Sequence, residues 1–306
     1  MKKIINTLRK YTPLRLRILF GPFFAYISYF YQNKLQKNTR KTKILTPIET
    51  LELIANDNMS AIRFGDGEMS LMYSENLGFQ KADTALGKVL VKILQSNEPK
   101  LLICIPGIWG DLSHFSKRSF WFTLHHKFKY GYRWENFIQY SQTYGDVFIT
   151  RPFLNYKDRN YSEKIFEKLF TIWKNQDIVV IEGSKSRLGV GNDLFAGAKS
   201  VKRILCPAEN AFEKYEAIKE ESMKLDKDKL VLVSLGPTAK VLAYDLFLAG
   251  FRVIDIGHID MEYEMYLRNS HTLVKVPYKY FNEINERNPE DCNDHLYLSQ
   301  IIAKIE

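Results

Sequence analysis

Past residue 45, short apolar runs alternate with longer stretches of helical period. Residues 61–64, 101–106, 145–150, 177–183, 201–207, 229–236 and 251–257 read as strands, apolar enough along their length to be buried on both faces. Residues 163–175, 192–200, 211–224 and 237–250 read as helices between them. The last has Pro237 in its first turn and Gly250 at its end, the usual polarity of helix punctuation. This alternation predicts an α/β fold, a mostly parallel sheet with helices on both faces. Neither a repeat nor a linker interrupts residues 44–306, which are expected to form one domain. With 306 residues and 45% hydrophobic content, the chain has enough apolar material for a large core.

Residues 1–43 form a separate appendage. They hold eleven Lys or Arg and no acid, so the formal net charge of +9 is concentrated there; the remainder sets 33 basic against 35 acidic residues. A nearly neutral body argues against a nucleic-acid groove, and no nucleic-acid partner is expected. Between the charges lie Phe20, Phe23, Phe24, Tyr26, Tyr29, Phe30 and Tyr31. Residues 18–31 are too few to span a bilayer and are broken by Gly21-Pro22, and no small-residue cleavage site marks a signal peptide. Two readings stay open. One is peripheral contact with anionic headgroups on the inner, cytoplasmic face of the cell membrane. The other is a helix packed on the body or on a second subunit of a homo-oligomer. Cys104, Cys206 and Cys292 show no C-x-x-C pairing, which fits a reducing cytoplasm.

Ligands of parallel α/β sheets gather beyond the carboxyl ends of the strands, and the polar motifs of this chain follow its strands. Arg63-Phe64-Gly65-Asp66-Gly67-Glu68 comes first. In extended backbone Asp66 and Glu68 would point the same way, and two carboxylates aimed at one spot suit a hard divalent ion that completes its shell with phosphate and water. Gly65 leaves room for a ligand near the backbone. Residues 184–193 offer Lys185, Arg187, Gly189, Gly191 and Asn192 before an expected helix start, the makings of a diphosphate cradle, although the spacing matches neither a Walker loop nor a dinucleotide fingerprint. Gly236 and Thr238 sit at another helix entry, where a base or ribose could dock or the hydroxyl could simply cap the helix. His258, Asp260, Glu262 and Glu264 crowd the end of a third strand. His258 suits metal ligation, a phosphate contact or proton transfer, whereas Asp260 and Glu262 also fit the ordinary preference for acids in a first helical turn. Asp111 is a lesser candidate; His114, His125 and His126 have no comparable setting, and His125-His126, within a helical run, read as ordinary surface residues.

These blocks resemble the GT-D-type glycosyltransferases. The likeness rests on residues 63–68, on Glu182-Gly183 leading into residues 186–195, on residues 235–239 and on residues 255–264, in that order, and runs from about residue 46 to residue 277. It implies a Rossmann-like α/β fold and transfer of a sugar, a hexose such as glucose, from a UDP-sugar donor to a glycan acceptor in cell-surface polysaccharide or glycoprotein assembly. It also implies Mn²⁺ or Mg²⁺ on the D-x-E motif, here Asp66 and Glu68. In this picture Arg63, Lys185, Arg187 and the amides of residues 189–191 hold the nucleotide. His258 adds a contact near the diphosphate, and Glu264 or Asp260 takes the acceptor proton. The acceptor is expected to be lipid-linked if residues 1–43 bind membrane. The alternative is a non-catalytic nucleotide-binding module of a membrane glycan-assembly complex.

Overall fold

The computed structural model describes residues 42–270, 272–284 and 286–306. The aromatic and basic readings of residues 1–41 lie outside the described residues. Among the latter, nine strands build one sheet: β1 (Lys43–Ile44), β2 (Ser60–Arg63), β3 (Leu101–Ile105), β4 (Thr143–Asp146), β5 (Asp177–Gly183), β6 (Ser200–Cys206), β7 (Leu230–Ser234), β8 (Arg252–Asp255) and β9 (Ile301–Lys304). Their order is β1-β4-β3-β2-β8-β7-β5-β6-β9, and every neighbouring pair is parallel.

Two apolar layers flank the sheet, and successive strand residues divide between them as the two-residue period requires. Val179, Ile181, Val231 and Val233 face one layer, which helices α2 (Asp66–Met72), α3 (Thr84–Leu94), α7 (Tyr215–Met223) and α8 (Thr238–Leu248) complete, together with Tyr130 and Trp134 of α4 (Lys117–Glu135). Ile178, Val180, Leu230 and Leu232 face the other, closed by α1 (Pro47–Asn56), α6 (Arg159–Trp173) and α9 (Ile259–Leu267). Short helices α5 (Pro152–Asn155) and α10 (His295–Gln300) complete the set. Helix starts obey local chemistry: Thr46 and Glu49 form a reciprocal capping box on α1, and Asp83 caps α3.

Two expected elements differ. The strand expected at 145–150 ends at Asp146, because the Asp146 carboxylate accepts the Phe148 amide at 2.8 Å and turns residues 147–150 into a 3₁₀ helix. The helix expected at 192–200 does not form. Residues 192–199 make successive turns in which Leu194 and Phe195 fill space beside Trp173, whose indole donates to the Leu194 carbonyl at 3.0 Å. The crossover from β5 to β6 is therefore a packed loop.

Candidate active site

A cleft of about 580 Å³ follows the carboxyl ends of the sheet and is walled by the loops after β2, β3, β4, β5, β7 and β8. Its floor is a charge network. Arg63, at the end of β2, donates from Nε to the Asp255 carbonyl at 2.9 Å and from NH2 to Asp255 Oδ1 at 3.1 Å, while NH1 bonds to Thr150. The guanidinium passes so close to Gly257 that a Cβ there would lie 1.9 Å from it; with φ +44, that residue has to be glycine. Lys240, in the first turn of α8, places Nζ 3.0 Å from Asp255 Oδ2, 3.0 Å from Glu68 Oε1 and 3.2 Å from the Gly236 carbonyl. Burial works against the charge of Asp255, but Arg63 and Lys240 outweigh it and hold the carboxyl below its ordinary range.

The D-x-E pair takes a geometry other than the extended one expected. Gly65 is the N-cap of α2, so Asp66 and Glu68 lie in the first helical turn, where residues two apart point in divergent directions. Glu68 is buried, and its Oε2 accepts the Gly65 amide at 2.8 Å. Asp66 is exposed at the rim.

The opposite wall comes from β4, α9 and the chain near residue 283. Arg151 pairs with Glu283 at 2.5 Å. Glu262 accepts the amides of Phe153 and Leu154, each at 3.0 Å, and burial pushes its carboxyl above the usual range despite Arg151 and those two bonds. Glu283 moves the other way, since Arg151 overcomes its burial. His258 lines the same wall; burial, reinforced by Arg151, pushes its imidazole down to about 4, so it is neutral at pH 7. His126, expected at the surface, is instead buried on the inner side of α4 in the cleft wall, is pushed down to about 3 by burial, and accepts the Trp134 indole N–H at 2.9 Å.

The structure brings Arg63, Gly65, Asp66, Glu68, Gly236 and His258 to this cleft. It turns the rest of the expected set away. Lys185 Nζ bonds to Asn288 Oδ1 at 2.8 Å and to the Arg287 carbonyl at 3.3 Å. Arg187 donates to the carbonyls of Tyr278 and Glu290 at 2.6 and 2.5 Å. The Gly189 amide goes to Asp260 Oδ1 at 2.8 Å, and Asn192 bridges Asp260 and Glu264 at 2.9 and 2.7 Å. Both carboxylates receive Lys279 Nζ, at 2.7 and 3.0 Å, in a buried cluster. Gly191 has no Cβ neighbour within 4 Å and sits in the same loop, away from the cleft. In this structure Lys185 and Arg187 are engaged with the C-terminal chain, and the Gly189 amide and Asn192 with the carboxylates of α9. Thr238 is fully buried in the start of α8, and Asp111 binds Ser113 at the surface.

In place of those groups the cleft presents Arg118, Arg151, Lys240, Glu262 and Glu283. Lys240 carried one signal in the sequence, as the sole cation of the mostly apolar stretch 238–248. Glu262 was legible only as a first-turn acid. For Mn²⁺ or Mg²⁺ the donors fit in the manner of nucleotide sites, where one or two carboxylates share the ion with substrate phosphates and water. Asp66 is available at the rim, with Glu68 beside it engaged by Lys240. Among the described residues no three His, Cys, Asp or Glu side chains gather into an all-protein metal cage.

A family model described as "Glycosyltransferase GT-D fold" matches residues 61–284. The glycosyltransferase GlyD of Streptococcus pneumoniae serotype 4 is 38% identical over 259 residues, covering 84% of this chain and 32% of GlyD. The probable glycosyl transferase Gly of Streptococcus gordonii is 37% identical over 273 residues, 87% of this chain and 39% of that protein. This chain therefore spans between about a third and two fifths of the length of these relatives. Among solved structures, one presented as the highly conserved domain of unknown function 1792 with a distinct glycosyltransferase fold superposes with a TM-score of 0.85 at 37% identity, over 91% of this chain and 100% of the other. Another, described as a new glycosyltransferase from Streptococcus sanguinis, gives 0.81 at 36% identity, over 87% and 100%. The chain belongs to the glycosyltransferase GT-D fold family.

Proposed function

We propose that this protein transfers a sugar, a hexose such as glucose, from a UDP-sugar to a glycan acceptor in cell-surface polysaccharide or glycoprotein assembly. The observation that carries the reading is the cleft itself: Arg63 and Lys240 in its floor, with Arg118 and Arg151 in its lining, gather around the same space as Asp66, Glu262 and Glu283, and that space is sized for a nucleotide sugar. The cations suit a diphosphate, and the buried carboxyl of Glu262 suits a hydroxyl losing its proton.

In the transfer, the acceptor oxygen forms a bond to the anomeric carbon as the bond from that carbon to the diphosphate oxygen breaks. Lys240 and Arg151 offset the charge that grows on the departing diphosphate. Neutral His258 can donate an N–H to a phosphate oxygen without an added charge. The acceptor proton passes to Glu262, whose raised pKa brings it nearer to working pH than an ordinary carboxylate. Asp66 and Glu68 are the residues that would hold Mn²⁺ or Mg²⁺, which when bound supplies further positive charge to the diphosphate. Residues 1–43, with eleven cations and no acid, support an acceptor presented at the cytoplasmic membrane face; no helix among the described residues is long and apolar enough to cross a membrane.

Incubation with UDP-glucose and related donors, with Mn²⁺ and with lipid-linked or soluble glycans, tests the assignment. Release of UDP together with sugar on the acceptor is expected. UDP binding with neither product would return the protein to the class of silent nucleotide-binding modules.

A further inference from the structure

Helix α4 carries an exposed stripe, most of which lies outside the cleft. Arg118, Trp121, Phe122, His125, Lys129 and Tyr132 follow one another at intervals of three, one, three, four and three residues, which keeps them on one side of a helix. All six are exposed, with Trp121, Phe122 and Tyr132 at 40%, 53% and 47%. The opposite side buries Thr123, Leu124, Tyr130 and Trp134. Singly exposed apolar residues are normal, but three aromatic rings aligned with cations and no acid are a patterned surface. Tyr140, a few residues past the helix end, is also 60% exposed.

The stripe is continuous with two other features. Arg118 and Phe122 also line the cleft, so its first turn forms part of the cleft mouth. At the far end, Thr143 follows Tyr140 by three residues and pairs with Lys43, the point where the basic N-terminal segment joins the sheet. Aromatic rings with a polar edge, interleaved with Arg and Lys, match the chemistry of a headgroup interface. A saccharide is served less well, because the Arg, Lys and indole groups only donate hydrogen bonds, whereas sugar hydroxyls also need acceptors.

We propose that the outer face of α4 seats the folded body on an anionic lipid surface, so that the cleft mouth opens at headgroup level. This rests on the reading of a membrane-presented acceptor but names a surface distinct from residues 1–43.

Indole quenching tests it on the full-length chain. Vesicles of phosphatidylglycerol and brominated phosphatidylcholine quench an indole only when it enters the bilayer interface. Trp134 and Trp173 are fully buried and Trp109 is partly buried, which leaves Trp121 as the exposed reporter. Quenching is expected with anionic vesicles and is expected to vanish in Trp121→Phe, while that variant still pellets with them. Trp121→Ser combined with Lys129→Glu should weaken vesicle affinity at least tenfold, from a lost aromatic contact and a reversed charge, with the melting temperature unchanged. Pelleting without quenching would leave residues 1–43 as the anchor and overturn the proposal alone. Absence of pelleting would overturn both readings. Equal quenching by wholly zwitterionic vesicles would refute the role given to anionic lipid.

Discussion

Glu68 and Lys240 form a buried ion pair in the cleft floor, Oε1 to Nζ 3.0 Å, joining the first turn of α2 to the first turn of α8. Lys240 is shared with Asp255, so one ammonium sits between two carboxylates. Replacing it by Met would leave Glu68 with a backbone amide as its remaining partner and a charge out of water. Lys240→Met is expected to cost about 3–5 kcal/mol at neutral pH, the usual penalty for orphaning a buried charge. Adding Glu68→Gln removes that charge while keeping an acceptor for the Gly65 amide, so the double variant should recover part of the loss. Chemical denaturation of the wild type, both singles and the double gives the coupling energy. Strict additivity would mean that the pair is not energetically real.

Asp66 and Glu68 should behave differently although two residues separate them. Asp66 is exposed, and its substitution disturbs little of the fold. Asp66→Asn is expected to melt within about 0.5 kcal/mol of wild type, as surface changes do, yet to lose the Mn²⁺-dependent part of UDP affinity in calorimetry. An unchanged metal response in Asp66→Asn would remove the ion from this motif.

Lys279 closes a clasp between α9 and the C-terminal chain that supplies Tyr280, Asn282 and Glu283 to the cleft. It is 1% exposed between Asp260 and Glu264. Lys279→Met should leave two facing buried carboxylates and destabilise the protein by about 3–5 kcal/mol. Arg187→Ala should loosen the same chain by removing bonds to Tyr278 and Glu290, and limited proteolysis should then cut within residues 272–291 sooner than in wild type. A drop in UDP affinity with native protease resistance would instead make Arg187 a direct phosphate ligand.

The sheet was legible in the sequence because its strands are buried on both faces, and a run such as residues 177–183 has few other folds open to it. Most of the polar loops were legible as loops. Their destinations were not. Arg187 beside Gly189 and Gly191 looks the same whether its guanidinium meets a phosphate or a carbonyl, and its partners lie 91 and 103 residues away. Leu194, Phe195, Ala196 and Ala198 satisfy a helical period, yet the space beside Trp173 uses them in turns. Glu262 and Glu264 differ by two positions on one helix, which is enough to send one to the cleft and the other to Lys279. That choice belongs to tertiary packing and leaves no local mark.

Asp146 gives the protein a measurable pH signature. Burial pushes its carboxyl up to about 7, while bonds from the Phe148 and Gly107 amides act against the rise. Between the unfolded value near 3.9 and about 7, the folded state holds a proton that the unfolded chain has released, so this group's contribution to stability falls as pH rises through that window. Asp146→Asn mimics the protonated form at every pH. The difference in melting temperature, variant minus wild type, should therefore grow from pH 5 to pH 8 and level off above it. A difference that is flat with pH would show that Asp146 is ionised throughout.

Glu262 is where the chemistry and the scaffold meet, and one substitution separates them. Its Oε2 holds the amides of Phe153 and Leu154, so a purely structural carboxylate would serve only to start α5. Glutamine offers the same carbonyl acceptor but has no proton-accepting oxygen of comparable basicity. If Glu262 takes the acceptor proton, Glu262→Gln should keep wild-type stability and UDP affinity while kcat falls by roughly 10²–10⁴, the range of general-base catalysis. KM for the donor should change little, since the proposal gives the diphosphate to Arg63, Arg151 and Lys240 and not to Glu262. Loss of stability in parallel with activity would assign Glu262 to the scaffold. Full activity would pass the proton to Glu283 or to solvent, and the pH–rate profile of the variant would then match that of the wild type.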